Sequence, residues 1–252
     1  MTGFNERLAA RDRLIGMWVA SASPIVAEIC AGSSLDFLLL DAEHAPNDVP
    51  SLQAQLQAVA PYPITPVLRP PMGDATLIKQ YLDIGATALL IPMVSSAEQA
   101  TELVRATRYP PAGIRGVGSA FARAARWGRA AGYLDTADGG ITLLVQVETA
   151  IALDQIEAIA GVDGVDGIFV GPADLAASMG HLGQADHPEV VDRVTDAIQR
   201  IVAAGTPAGV NAFAEDTARR YLDAGASFVL VGADVTILAR ESTALADRYR
   251  TP

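Results

Sequence analysis

The sequence predicts a single (β/α)8 barrel over residues 1–252, and three observations carry that prediction. Eight short apolar runs alternate with eight helical patterns across the 252 residues, and eight strand–helix units in roughly 250 residues is the size of such a barrel. The Gly-rich dinucleotide fingerprint is absent from the first strand–helix turn, which counts against a doubly wound open sheet. The segment YLDIGATALLIP (81–92) also aligns without gaps to YLDAGASFVLVG (221–232), an echo expected of two related half-barrels. A plainer reading of the echo is a shared helix end and turn, with Gly85 and Gly225 at the position after a helix that glycine favours.

In chain order, strands are read at 15–20, 36–41, 64–70, 87–94, 142–148, 167–171, 207–212 and 227–232. Each is short, aliphatic or β-branched, and bounded by turn residues. Helical spacing appears near 24–31, 50–60, 74–84, 96–107, 150–160, 189–204, 214–224 and 234–248. Ser95-Ser96-Ala97-Glu98 resembles a capping box before the fourth helix. From Thr107 to Ile141 no strand is read, although the segment is long for a loop. It carries Arg108, Arg115, Arg123, Arg126 and Arg129, with no acid from Leu103 to Leu134. This is a local positive field, for an anionic substrate or for an acidic neighbouring subunit.

Composition bounds the function. Half the residues are hydrophobic and the net charge is −11, so a nucleic acid or an anionic membrane is not expected as a partner. The one cysteine, Cys30, lies in the apolar pattern PIVAEICAG and reads as a buried, inert thiol of a reducing compartment. The charged N-terminus has no apolar stretch of signal-peptide length, and no run approaches the ~18 residues of a membrane span. A soluble, cytoplasmic protein is expected.

In a barrel, chemistry belongs at the C-terminal ends of the strands. Those positions hold Trp18, then Asp41, Glu43 and His44, then Arg69, then Gln146 and Glu148, then Gly171, Pro172, Ala173 and Asp174, and finally Asn211. Glu148 and Asp174 follow neighbouring parallel strands with no basic partner in sequence. The pair therefore reads either as ligands of a hard divalent cation or as helix caps. The helix that GPADL opens leaves free N–H groups near Ala173 and Asp174, which can hold a substrate carboxylate. Asp41, three residues before His44, is expected to fix the imidazole tautomer and raise its basicity, as a general base requires; a structural histidine is the alternative. His181 and His187 read as capping or surface residues. Arg69, at a buried strand end, needs an anion. The only lysine, Lys79, falls inside a predicted helix, away from the strand ends, which disfavours a Schiff base.

The stretches LLLDAEHAPND, RATRYPPAGIRGVG, LVQVET and IFVGPADLAASMG resemble the metal-dependent class II pyruvate aldolases of the HpcH/HpaI family, over essentially the whole chain. The resemblance implies a barrel whose last helix is exchanged between subunits, in a homohexamer built as a trimer of dimers. It implies Mg²⁺, Mn²⁺ or Co²⁺ on Glu148 and Asp174. It further implies pyruvate held by Gln146 and the backbone at Ala173 and Asp174, an enolate stabilised by Arg69, and His44 as proton acceptor, tuned by Asp83 of a neighbouring subunit. Asn211 stands where the resemblance implies an aliphatic residue. The expected reaction is reversible cleavage of a 4-hydroxy-2-oxo acid to pyruvate and an aldehyde. An acyl-CoA lyase of the malyl or citramalyl type and a non-catalytic 2-oxo acid sensor are the rivals.

Overall fold

Side chains alternate across each strand, and the alternation here builds two apolar layers around one closed sheet. The computed structural model describes residues 3–250. All eight expected strands form: β1 (Leu14–Val19), β2 (Phe37–Asp41), β3 (Thr65–Arg69), β4 (Ala88–Ile91), β5 (Thr142–Val147), β6 (Gly167–Val170), β7 (Ala208–Asn211) and β8 (Phe228–Ala233). Each pairs in parallel with the next, and β8 returns to β1. Phe37, Leu39, Val67, Leu90, Leu144, Phe169 and Phe228 fill the barrel interior. Their neighbours Leu38, Leu40, Leu68, Leu89, Val145 and Ile168 face outward and join the helices in the second layer.

The helices are α1 (Phe4–Ala9), α2 (Pro24–Ala31), α3 (Val49–Val59), α4 (Ala75–Asp83), α5 (Ala97–Thr107), α6 (Tyr133–Thr136), α7 (Ala150–Leu153), α8 (Ile156–Ala160), α9 (Pro172–Ser178), α10 (Pro188–Ala203), α11 (Glu215–Asp223) and α12 (Asp234–Arg250). The two halves of the internal echo end alike. Gly85 and Gly225 have φ of +102° and +108°, a left-handed turn that a side chain would strain, and each leads straight into β4 or β8.

Three expectations are corrected, and one helix, α1, lies outside the expected set. The charged N-terminus contains α1, whose Phe4 and Leu8 pack against the interior layer. The single helix expected at 150–160 is two. Asp154 and Gln155 turn the chain with bonds back to Ile151 and Ala152 before α8 begins, yet Ala152, Leu153, Ile156 and Ile159 are all buried, so the apolar period runs through the break. At α5 the cap is Ser96, whose Oγ accepts from the Gln99 N–H at 3.2 Å. The reciprocal bond runs from Ser95 N–H to Gln99 Oε1, so Gln99 takes the part expected of Glu98. Cys30 is half-buried rather than buried.

The arginine-rich stretch forms no strand. Because α5 runs back from the end of β4 and β5 starts at Thr142, this stretch lies at the N-terminal end of the barrel. Arg115 is buried there against Asp83 at 2.9 Å, the Tyr133 hydroxyl at 3.1 Å and the Tyr109 ring. Arg123 donates to the Ile84 carbonyl. Two of the five arginines thus hold the chain's own rim together instead of offering free charge.

Candidate active site at the C-terminal rim

Parallel register sets the first part of the site. Asp41 and Arg69 are direct partners in the β2–β3 ladder, so their side chains leave the sheet together. Arg69, 5% exposed, donates from Nε to Asp41 Oδ1 at 2.8 Å and from Nη2 to Oδ2 at 2.9 Å. Its third nitrogen, Nη1, lies 2.8 Å from Glu43 Oε2, and the guanidinium stacks on the Trp18 ring at 4.2 Å. The buried cation is therefore faced by two carboxylates and an aromatic face, which fixes its direction.

The expected pairing of Asp41 with the His44 imidazole does not form. Both Asp41 oxygens are engaged by Arg69 and by the backbone N–H groups of Glu43 and His44. The His44 side chain is 66% exposed, with Nε2 3.8 Å from Glu43 Oε2. Glu43 is the residue that sequence reasoning left without a role. Burial pushes its carboxyl up, against the pull of Arg69 and His44.

The second part follows β5 and β6. Glu148 is 1% exposed. Its Oε1 accepts from the Met93 N–H at 2.8 Å and its Oε2 accepts from Gln146 Nε2. Burial raises its carboxyl from 4.5 to about 7, with Asp174 and Glu43 adding to the rise and the two hydrogen bonds opposing it. Met93 reaches this position with φ of +57°, a left-handed backbone that costs a residue other than glycine about 1–2 kcal/mol. A backbone donor on a residue of no special type leaves no signal in a sequence.

Neither carboxylate caps a helix by its side chain. Thr149 caps α7 through its Oγ1, and the N-cap of α9 is Gly171. Gly171 is required by closeness: a Cβ there would lie 2.7 Å from Glu148 Oε2 and 3.1 Å from Gln146 Nε2. Asp174 is exposed, in the first turn of α9, beside the free N–H groups of that turn. Gln146 Oε1 is buried and has no partner.

Trp18 Nε1 donates to Asn211 Oδ1 at 2.8 Å. Asn211 also lines a cavity of about 180 Å³ together with Pro172 and Ala173. Trp18, Asp41, His44, Arg69, Gln146, Glu148, the Gly171–Asp174 turn and Asn211 thus all lie at one end of the barrel. Asp83 does not join them. It ends α4 at the opposite rim, bound to Arg115, and can serve such a site only from another copy of the chain. Lys79 lies in the middle of α4, as expected. His187 caps α10 through Nδ1 and stacks on His181 at 3.9 Å, while His181 Nε2 lies 3.0 Å from Glu189. Among the described residues, His181, His187 and Glu189 form a group of three whose ligand atoms fall within 4.8 Å of one another, so they could hold a divalent metal; this is not where the sequence reading placed one.

The sequence of residues 14–240 matches the model of the HpcH/HpaI aldolase/citrate lyase family. The chain belongs to that family. Among relatives, it is 56% identical to a hydroxypyruvate/pyruvate aldolase of Deinococcus radiodurans, over 98% of this chain and 89% of that one. It is 54% identical to a 4-hydroxy-2-oxo-heptane-1,7-dioate aldolase of Klebsiella pneumoniae, over 98% and 93%. Its barrel superposes on an HpcH/HpaI aldolase/citrate lyase family protein from Burkholderia cenocepacia with a TM-score of 0.94, at 39% identity and 98% coverage of both chains. This HpcH/HpaI member is a carbon–carbon lyase, and its chemistry is the reversible aldol cleavage of the family's 4-hydroxy-2-oxo acid aldolases.

Proposed function

We propose that Glu148 and Asp174 hold the divalent cation of a class II pyruvate aldolase, and that the rim around them binds and cleaves a 4-hydroxy-2-oxo acid. The observation that carries this reading is Glu148. A carboxylate kept 1% exposed, with the Asp174 and Glu43 carboxylates opposing its ionisation, lacks the positive charge that would make that ionisation favourable. Two hard oxygen donors suit Mg²⁺, Mn²⁺ or Co²⁺. Gly171 keeps the space beside Glu148 open, and the unpartnered Gln146 Oε1 leaves an acceptor for a ligand. When bound, the cation supplies positive charge to the oxygen that becomes an enolate.

The residues then divide the work. The N–H groups of Ala173 and Asp174, at the first turn of α9, take the substrate carboxylate, and Gln146, Gly171 and Pro172 shape that end of the site. Arg69, already aimed by Asp41 and Trp18, meets charge growing on the keto oxygen. His44 removes the 4-hydroxyl proton and, in the synthetic direction, a methyl proton of pyruvate. Trp18 and Asn211 face the aldehyde part. Asp83 reaches His44 from a neighbouring subunit. The exposed apolar side of α12, with Ile237, Leu238, Leu245 and Tyr249 open, fits a helix that packs on a second copy, as a trimer of dimers with exchanged helices requires. No described helix is long and apolar enough to cross a membrane.

The test is titration calorimetry with Mn²⁺ on the wild type, Glu148→Gln and Asp174→Asn. Each variant should lose most of its Mn²⁺ affinity along with activity. Unchanged affinity in both would remove the metal from this pair and point to His181, His187 and Glu189.

A further inference from the structure

So far Glu43 only faces Arg69. It follows β2, between Asp41 and His44, and its Oε2 is buried without a hydrogen-bond partner. That oxygen lies 2.8 Å from Arg69 Nη1, an ion pair whose angle falls short of a hydrogen bond, and 3.8 Å from His44 Nε2. A buried carboxylate oxygen without a hydrogen bond favours any donor that can reach it. A solvent-facing imidazole stands less than one ångström beyond hydrogen-bond range of it, and both oxygens of Asp41, the partner the sequence suggests for that ring, are already engaged.

We infer that Glu43 is the positioning partner of His44: it accepts the Nε2–H, fixes that tautomer and leaves Nδ1 as the basic nitrogen. The inference rests on the reading of His44 as the base. A small rotation of the exposed ring closes the gap. In cleavage, Nδ1 takes the proton of the substrate's 4-hydroxyl. The O–H electrons become the new carbonyl bond of the aldehyde, the C3–C4 bond breaks, and its electron pair becomes the enolate of pyruvate. The imidazolium then faces Glu43, which offsets its charge, and Nδ1–H returns the proton to C3 to give pyruvate. Glu43 is itself faced by Arg69 and His44, which favour its ionised form, and by Asp41 and Asp174, which oppose it. Glu148 also lies within electrostatic reach. Burial pushes the Glu43 carboxyl up and Arg69, shared by Asp41 and Glu43, pulls the other way, while Oε2, the oxygen that faces Arg69, is also the one nearest the ring.

The experiment is exchange of pyruvate methyl protons with D₂O, followed by NMR from pH 5 to 9 with Mg²⁺ saturating. The proteins are the wild type, Glu43→Gln, Glu43→Asp, Asp83→Asn and His44→Ala. Removing a carboxylate beside an imidazole lowers the imidazole's pKa, so Glu43→Gln should move the rising limb to lower pH by about one unit and lower the plateau about tenfold. Glu43→Asp, which keeps the charge, should restore at least half of the limb's displacement. A Glu43→Gln profile lowered at every pH with its limb in place would make Glu43 only a support for Arg69 and overturn the inference. So would a limb that moves in Asp83→Asn but not in Glu43→Gln. Wild-type exchange in His44→Ala would remove His44 as the base, and with it the reading on which this rests.

Discussion

At Arg69, transition-state stabilisation and substrate binding make different predictions. The guanidinium is held by Asp41 at 2.8 and 2.9 Å and by the Trp18 face, so its direction is set before substrate arrives. Charge on the keto oxygen grows only as the carbon–carbon bond breaks, and a donor aimed there gains most at that point. Arg69→Ala should lower turnover by about 10²–10³ and weaken substrate binding much less, in steady-state cleavage with metal saturating. Arg69→Lys should recover little, because an ammonium cannot bridge Asp41 and Glu43 with a planar fork. A raised Michaelis constant with turnover preserved would make Arg69 a carboxylate clamp. Glu148 carries a pH dependence of stability. Its carboxyl is raised from 4.5 to about 7 in the folded chain, so the metal-free fold binds a proton that the unfolded chain releases earlier. That contribution is full below about pH 4.5 and is lost as pH rises through 7, by up to a few kcal/mol. Denaturant midpoints at pH 5 and pH 8 should therefore fall more for metal-free wild type than for Glu148→Gln, and Mn²⁺ should restore only the wild type at pH 8. Equal pH responses would mean that Glu148 is not held in this environment.

At the scale of elements, what was legible followed from period and order. The eight strands are apolar runs bounded by turns, and parallel order places whatever follows each strand on one rim. That is why QVE and GPAD could be joined into a site without a structure. The break between α7 and α8 was hidden because the buried positions keep helical spacing across it. Helix α1 was hidden because its two inward residues, Phe4 and Leu8, lie among charged neighbours. The Asp41–Arg69 pair spans 28 residues, and only the β2–β3 register shows that Arg69, not His44, claims the Asp41 carboxylate. Met93 contributes a backbone N–H, which no residue type announces. Helix α12 makes its own prediction. Of its residues only Asp234 is buried; its carboxylate receives the N–H groups of Ala20 and Ser21, anchoring the start while the apolar side beyond stays open. Leu238→Glu together with Leu245→Glu should give a smaller species than the wild type by light scattering. An unchanged mass would show that this side of α12 is not an interface.

For the whole molecule, the two ends of the barrel have separate tasks. The C-terminal end gathers the carboxylates, Arg69 and His44. The N-terminal end is closed by α1 and braced by Arg115 and Arg123, and it carries Asp83, which its own site cannot use. A complete site therefore needs a second chain under this account, and the fold alone does not reveal that need. In the proposed reaction Glu148 and Asp174 would hold a cation whose charge offsets the developing enolate, and no lysine adduct forms. The most direct measurement is pyruvate release from a 4-hydroxy-2-oxo acid by chelator-stripped protein, before and after Mn²⁺ is returned, with a parallel borohydride treatment in the presence of pyruvate. Release should vanish on stripping and return with Mn²⁺, and no adduct should appear in the protein's mass. Undiminished release from stripped protein, or a trapped adduct on Lys79, would contradict the account.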